Sequence, residues 1–508
     1  MEVFALLLNI ASTVIVLSAL FYAGSAIYNV TFHPLASFPG PTIYGASILP
    51  AYYDLCIGNS ASRTLELHEK YGPVVRMTPN DLSFSSAQAW RERKTDIYGY
   101  RKGHKNLERD PRFFYVDPER TQNIIASNEA NHARMRRVMI HAFSESALRE
   151  QEPIITSYCD LLIQRLSYQQ EAKGAVDIAA WLNFASFDII GDLTFGESFH
   201  ALEKGEDHWW MSTIFNGFKI GVMLPAVVRT KDKFRNFIRD KTLSRLSMET
   251  DRRDVTAVIM RHNDKKEMSE RELITNAGCL IIAGSESTAT LLSGLIFHLL
   301  STPRVLALLQ QEIRQAFTSQ SAINFASVSK LLYLQACIEE ALRLYPPMPC
   351  GLPRQVPVEG MIIDGHFVPG NTSVSMHQLS TGRSARNFKD PLKFVPERWL
   401  KDEPRASDEA AASAPQRSSQ YSTNDEFSLR YGNDDFAASQ PFAIGLTVSR
   451  KQNLAFAEMW SIMARLVWKF DMELQLDSLN WDQQKVYVLW SKPPLNVRLS
   501  AHGRTKNL

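Results

Sequence analysis

Charge is missing from the start of this 508-residue chain: no Asp, Glu, Lys or Arg occurs from Val3 to Val30, and the first basic residue is Arg63. About 20 apolar residues suffice to cross a bilayer, and this run exceeds that. A cleaved leader would begin with basic residues and carry an apolar core of about 7–15. Here the start is acidic, at Glu2, and the run is too long, so residues 1–30 read as a transmembrane anchor. With no early Lys or Arg, the flanking cations do not set its orientation. Cysteine is also scarce. Cys56, Cys159, Cys279, Cys337 and Cys350 are odd in number and never two residues apart, which argues against a disulfide framework or a structural zinc and fits a reducing compartment. Net charge is only +2, which argues against a nucleic-acid role. The apolar fraction of 45% is ordinary for a chain able to bury a large core, and no internal repeat is apparent.

After the apolar run, residues 31–45 form a proline-punctuated linker, His33-Pro34-Leu35 then Phe38-Pro39-Gly40-Pro41, where helix is disfavoured. Residues 46–508 read as one domain. Val74–Met77 and Leu82–Phe84 read as strands around the turn Thr78-Pro79-Asn80-Asp81, and helical stretches dominate 130–320. Residues 401–420 turn to Ala, Ser, Pro and charge, the composition of a mobile surface insertion.

Four constellations stand out. Asn276–Leu300 is an apolar helix interrupted by Ala283-Gly284-Ser285-Glu286-Ser287-Thr288. As a second membrane span it would bury Glu286 near mid-bilayer at high cost, so a buried helix beside a cavity fits better. Glu286 and the neighbouring hydroxyls could relay protons there, and Gly284 would permit a close approach or a bulge. Glu340 and Arg343 share a helix face three residues apart, and Pro396-Glu397-Arg398 follows. His132-Ala133-Arg134-Met135-Arg136-Arg137 opens a basic helix, and Arg354 follows Gly351-Leu352-Pro353. Phe184–Gly196 is aromatic and aliphatic in a pattern that reads as core.

Taken in order with Pro441-Phe442-Ala443-Ile444-Gly445 and Asn453–Met459, these segments resemble the cytochromes P-450, specifically the fungal membrane-bound haem-thiolate monooxygenases. The likeness runs from residue 3 to about 498. It implies a mainly α fold with a small β region, the cytochrome P-450 fold, behind one N-terminal transmembrane helix. It assigns Glu286 and Ser287 to oxygen activation, with Ser287 where the family usually has Thr. Arg136 and Arg354 match sites that pair haem propionates, His132 standing where the family has Trp. Phe442 and Gly445 match the loop that carries the ligand, and Glu340, Arg343 and Arg398 the buried ion network beneath the haem. The expected cofactor is heme b. The expected partners are an NADPH-dependent flavoprotein reductase and an apolar small-molecule substrate, for which 98–130 and 205–235 would line the cavity. The expected setting is the endoplasmic reticulum membrane, single-pass, in fungal secondary metabolite biosynthesis.

One position departs. Ser449 stands where the family has the cysteine that ligates iron, Thr447 replaces a propionate-pairing arginine, and Lys451 replaces a glycine. A thiolate pushes electron density onto iron, which a protonated hydroxyl does not. No Cys, His or Tyr lies between Asn433 and Met459, and Lys451 would ligate only as a neutral amine after a large pKa depression. Two readings of Leu446–Gln452 follow: a genuine loss, giving a haem-deficient relative that binds a lipophilic ligand or partner, or a local frame or splice error. Val448–Lys451 can be encoded GTG TCT CGG AAA, which shifted by one base reads Cys-Leu-Gly.

Overall fold

The computed structural model describes residues 2–90, 97–98, 106–113, 121–211, 228–248, 251–400, 430–442 and 451–503. Helix α1 (Glu2–Thr31) begins the chain. Short α2 (Thr42–Ala46), α3 (Leu49–Cys56) and α4 (Ser60–Tyr71) follow. The linker is therefore not free of helix. Pro41 sits at the N-cap of α2 in extended geometry, where its missing N–H costs nothing, and the helix runs on from Thr42. The larger helices are α5 (Glu129–Met139), α6 (Glu145–Lys173), α7 (Ile178–Phe195), α8 (Val228–Ser247), α9 (Glu270–Leu300), α10 (Pro303–Ala316), α11 (Leu332–Leu344) and α12 (Lys451–Lys469).

Two helix starts lie earlier than the sequence pattern indicates. Helix α5 begins at Glu129, capped by Asn128, rather than at His132. Helix α9 begins at Glu270, where Ser269 and Glu272 form a capping box, six residues before the apolar run. Its polar midsection does not interrupt it. Serines 285, 287 and 293 each donate to the carbonyl four residues back, so their hydroxyls are absorbed by the helix itself.

The small β region is built mainly around β1 (Val74–Thr78), β2 (Asp81–Phe84), β3 (Glu108–Arg109), β5 (Arg354–Gln355) and β8 (Ser373–Met376), in the order β1-β2-β8-β5-β3. Only β2–β8 is parallel. The strands β4 (Ala175–Asp177), β9 (Phe470–Leu474) and β12 (Asn496–Ala501) make a second sheet, β4-β12-β9. Two hairpins remain: β6 (Met361–Ile363) with β7 (His366–Val368), and β10 (Val486–Tyr487) with β11 (Leu489–Trp490).

Among the described residues three helices are long and apolar enough to cross a membrane. Helices α7 and α9 are largely buried inside the domain and pack on one another, whereas α1 is bare. A Cβ on Gly284 would fall 2.7 Å from Ile190, so this glycine serves the close approach of α9 to α7 rather than a bulge. Fifteen of the residues of α7 are buried, as the core reading of Phe184–Gly196 expects.

Candidate functional site

Helix α11 ends in a fully buried charge cluster. The Glu340 carboxylate and the Arg343 and Arg398 guanidinium groups are fully enclosed. Arg343 donates to Glu340 from Nε at 2.8 Å and from a terminal nitrogen at 2.7 Å. Arg398 Nε donates to Glu340 Oε1 at 3.1 Å, Val395 N at 2.9 Å, and Trp399 Nε1 to Oε2 at 2.8 Å. The outer face of Arg343 holds the carbonyls of Gly382, Pro391 and Lys393. Arg398 also pairs with Asp434, which caps Lys389 N. Each charge is compensated and each lone pair used, which is what a buried ion group requires. The cluster ties α11 to the loop that leads toward residues 430–442.

In the middle of α9 the two residues assigned to oxygen activation have different partners. Glu286 accepts from Lys492 Nζ at 2.7 Å and from Thr290 Oγ1 at 2.7 Å. Lys492 also donates to Thr290 Oγ1 at 2.7 Å and to Asn183 Oδ1 at 3.4 Å, and both charged groups are buried. Ser287 donates to the Ala283 carbonyl. No hydrogen bond joins Glu286 to Ser287 among the described residues, so the acid and the alcohol do not form a relay here. Ser287 belongs instead to a half-buried patch with Ile282, Ala283 and Gly284 within the stretch Asn276–Phe297, which is otherwise enclosed.

The third feature is a concentration of positive charge. Arg109 and Arg354 lie directly opposite each other on β3 and β5. Like charges so placed repel. Arg354 is buried, its guanidinium 5.5 Å over the Tyr98 ring, and Arg109 donates only to the carbonyls of Ser127 and Ile124. Burial, then the neighbouring Arg354, lowers Arg109 to about 10. His132 stands by: burial, then Arg109, Arg136 and Arg354, hold its imidazole down at about 4. Neither Arg109 nor Arg354 meets a carboxylate among the described residues. Three cations and a neutral imidazole are thus gathered around one place.

Comparison with known proteins places the chain as a whole. The profile of the family described as Cytochrome P450 matches residues 53–499. Cytochrome P450 monooxygenase astJ of Aspergillus oryzae is 40% identical, over 93% of this chain and 93% of its own length. Cytochrome P450 monooxygenase aclL of the same organism is 38% identical, over 94% and 96%. The chain belongs to the cytochrome P450 family. Another relative, the trichothecene C-15 hydroxylase of Fusarium sporotrichioides, is 38% identical over 93% of this P450 and 94% of itself. By family resemblance, then, the protein is a P450-type monooxygenase with haem as its family cofactor.

Set against a haem, the residues of this P450 fit on one side and not on the other. The opposed Arg109 and Arg354, with Arg136 and His132, suit the two propionates. The chemistry of the axial side does not suit iron, because residues 443–450 offer no thiol or imidazole. Cys159, Cys279 and Cys337 are buried within the helical core, and Cys350 lies against Ser60. Gly445, Thr447 and Ser449, the insertion 401–420, and parts of 98–130 and 205–235 lie outside the described residues. Phe442 is described and stacks obliquely on Phe456 of α12 at 5.3 Å.

Sequence reasoning missed three participants: Arg109, Lys492 and Glu458. Glu458, on α12, is buried beside the hydroxyls of Ser186 and Thr288, and its Oε1 has no hydrogen-bond partner. Burial pushes its carboxyl up to about 8, against the opposing pull of the two hydroxyls, so it is protonated at neutral pH.

Proposed function

We propose that this protein is a haem-dependent monooxygenase that oxidises an apolar small molecule in fungal secondary metabolite biosynthesis. It is held by α1 in the endoplasmic reticulum membrane and supplied with electrons by an NADPH-dependent flavoprotein reductase. The observation that supports this most is the opposed pair Arg109 and Arg354, a like-charge arrangement whose repulsion a bound dianion would relieve. When bound, haem supplies activation of O₂ for transfer of one oxygen atom to a C–H or C=C bond. The chain's own part is positional. Arg354, Arg109 and Arg136 would bind the carboxylates. Ser287 would present its hydroxyl at the half-buried patch of α9, and Lys492 would keep Glu286 turned into its ion pair. The Glu340, Arg343 and Arg398 group would hold the segment before Phe442 in place. Residues 1–30 serve as anchor, 31–45 as linker and 46–508 as the catalytic domain.

One observation favours a second reading. Ser449 stands at the ligand position, and Leu446–Gln452 departs from the family pattern while its flanks do not. With Ser449 genuine, the chain would be a haem-deficient relative that keeps the fold and binds a lipophilic ligand or a partner. Sequencing the transcript across codons 445–453 separates the two readings. A frame that encodes cysteine makes the protein an ordinary monooxygenase, and a confirmed serine selects the non-catalytic relative.

A further inference from the structure

Arg109 is a long, half-buried cation set against another cation, Arg354. Repulsion between the two favours rotation of Arg109 away from the site. Two carbonyls oppose that. One terminal nitrogen of Arg109 donates to Ser127 O, and the other to Ile124 O at 3.2 Å. Both carbonyls belong to the turn 123–127, which leads into α5 through its cap, Asn128.

Asn123 closes that turn. Its Oδ1 accepts from Ile125 N at 3.0 Å and from Ala126 N at 2.9 Å, and its carbonyl accepts from Ser127 N at 3.0 Å. The amide of Ile124 goes instead to α9, donating to Asn276 Oδ1 at 2.9 Å. Because a backbone N–H can only donate, it fixes which end of the Asn276 amide is the oxygen. The other end, Nδ2, donates to Glu272 O at 2.8 Å and to Met135 Sδ at 3.4 Å, and the side chain is buried. Ile124 is thus held on both sides, its N–H by Asn276 and its carbonyl by Arg109. Arg134 of α5 donates to Glu272 Oε1 at 2.5 Å, so the helix that carries His132 and Arg136 is fastened to the same turn of α9.

We propose that Asn276 is a positioning residue for carboxylate binding. By holding Ile124, it keeps the Ile124 and Ser127 carbonyls where they retain Arg109 opposite Arg354. The proposal rests on reading that pair as the site of a bound dicarboxylate. Asn276 acts through the turn and not on the ligand, so its removal weakens binding only as far as Arg109 is released. An arginine has large rotamer freedom, and fixing it before the ligand arrives removes an ordering cost that binding would otherwise bear.

The test is a fluorescence titration of the full chain in detergent with metal-free protoporphyrin IX and with its dimethyl ester. The diacid needs no iron ligand, so Ser449 does not enter, and the ester has the same ring without the charges. The parent should prefer the diacid. Arg109→Gln should weaken the diacid about tenfold, the scale of one hydrogen bond to a charged group, and leave the ester unchanged. Asn276→Ala should weaken the diacid several-fold, leave the ester unchanged, and add nothing once Arg109→Gln is present. Asn123→Ala loosens the same turn without touching α9, should act in the same direction, and decides the matter if Asn276→Ala does not fold. A parent that binds diacid and ester alike would remove the reading of the cations, and the proposal with it. A parent that prefers the diacid, with both turn variants matching it, would overturn the proposal alone. Equal loss of diacid and ester in the variants, or a loss that adds in full to that of Arg109→Gln, would assign Asn276 to the fold and also overturn it.

Discussion

Glu340 and Glu458 are both buried carboxyl groups, and their surroundings make them opposites. Glu340 receives five hydrogen bonds, four of them from side chains of Arg343, Arg398 and Trp399. Removing one cation leaves charge enclosed without compensation. Arg343→Ala should therefore cost about 3–5 kcal/mol, read as a lower midpoint in chemical denaturation, and would also free the carbonyls of Gly382, Pro391 and Lys393. An unchanged midpoint would mean that the cluster contributes nothing to the fold. Glu458 meets no cation among the described residues. Its carboxyl is raised from 4.5 to about 8 by burial, so folding holds a proton that the unfolded chain releases. The contribution is whole below pH 4.5 and is lost as pH rises through about 8. Glu458→Gln should remove that decline and stabilise the protein by about 2–4 kcal/mol at pH 8 relative to the parent, seen as flatter melting temperature against pH. The same slope in the variant would refute it. These residues were unequally legible in the sequence. Glu340, Arg343 and Arg398 sit in recognisable motifs. Glu458 is one acidic residue in an apolar helix, where the pattern does not say which way it faces.

Helix α9 shows where reading along the chain loses information. The polar stretch Ala283–Thr288 stands out in the sequence, but the partner that decides what Glu286 does is Lys492, 206 residues away. Nothing in the local pattern names it, because the ion pair exists only once the C-terminal hairpin has folded back onto α9. Trp490 fastens that hairpin, donating to Pro346 O at 2.7 Å and stacking on Tyr345 at 4.3 Å. Arg109 was hidden for a similar reason. Its two-residue strand has no pattern of its own, and it matters only opposite Arg354. Lys492→Met should destabilise the protein by about 3–5 kcal/mol, because it leaves Glu286 enclosed without its cation. Adding Glu286→Gln to that variant should recover much of the loss, since the uncompensated charge is then gone. Equal stability of the single and double variants in denaturant titration would count against the pair.

For the whole molecule, the class of fold and its membrane-spanning candidate were accessible from sequence. Both depend on length, spacing and composition that survive without coordinates: an uncharged run, then ordered motifs across the domain. What composition could not give was how α1 is fastened to the domain, since that depends on Arg76 reaching back to Asn29. A full chain carrying an N-terminal tag should stay with the membrane fraction with its tag attached. A soluble product starting near residues 25–30 would exclude an uncleaved anchor. The account as a whole holds that the fold, the ion cluster and the carboxylate receptor persist around a position that lacks a thiolate. The most direct measurement is the reduced-CO difference spectrum of the purified full chain, its transcript having been sequenced across codons 445–453. With Ser449 confirmed, the account predicts no band near 450 nm, roughly where thiolate-ligated haem absorbs. Restoring cysteine at 449 alone should recover little of that band, and a family-like segment replacing Leu446–Gln452 much more. A strong band near 450 nm from the unaltered chain with serine confirmed would contradict the ligand argument itself.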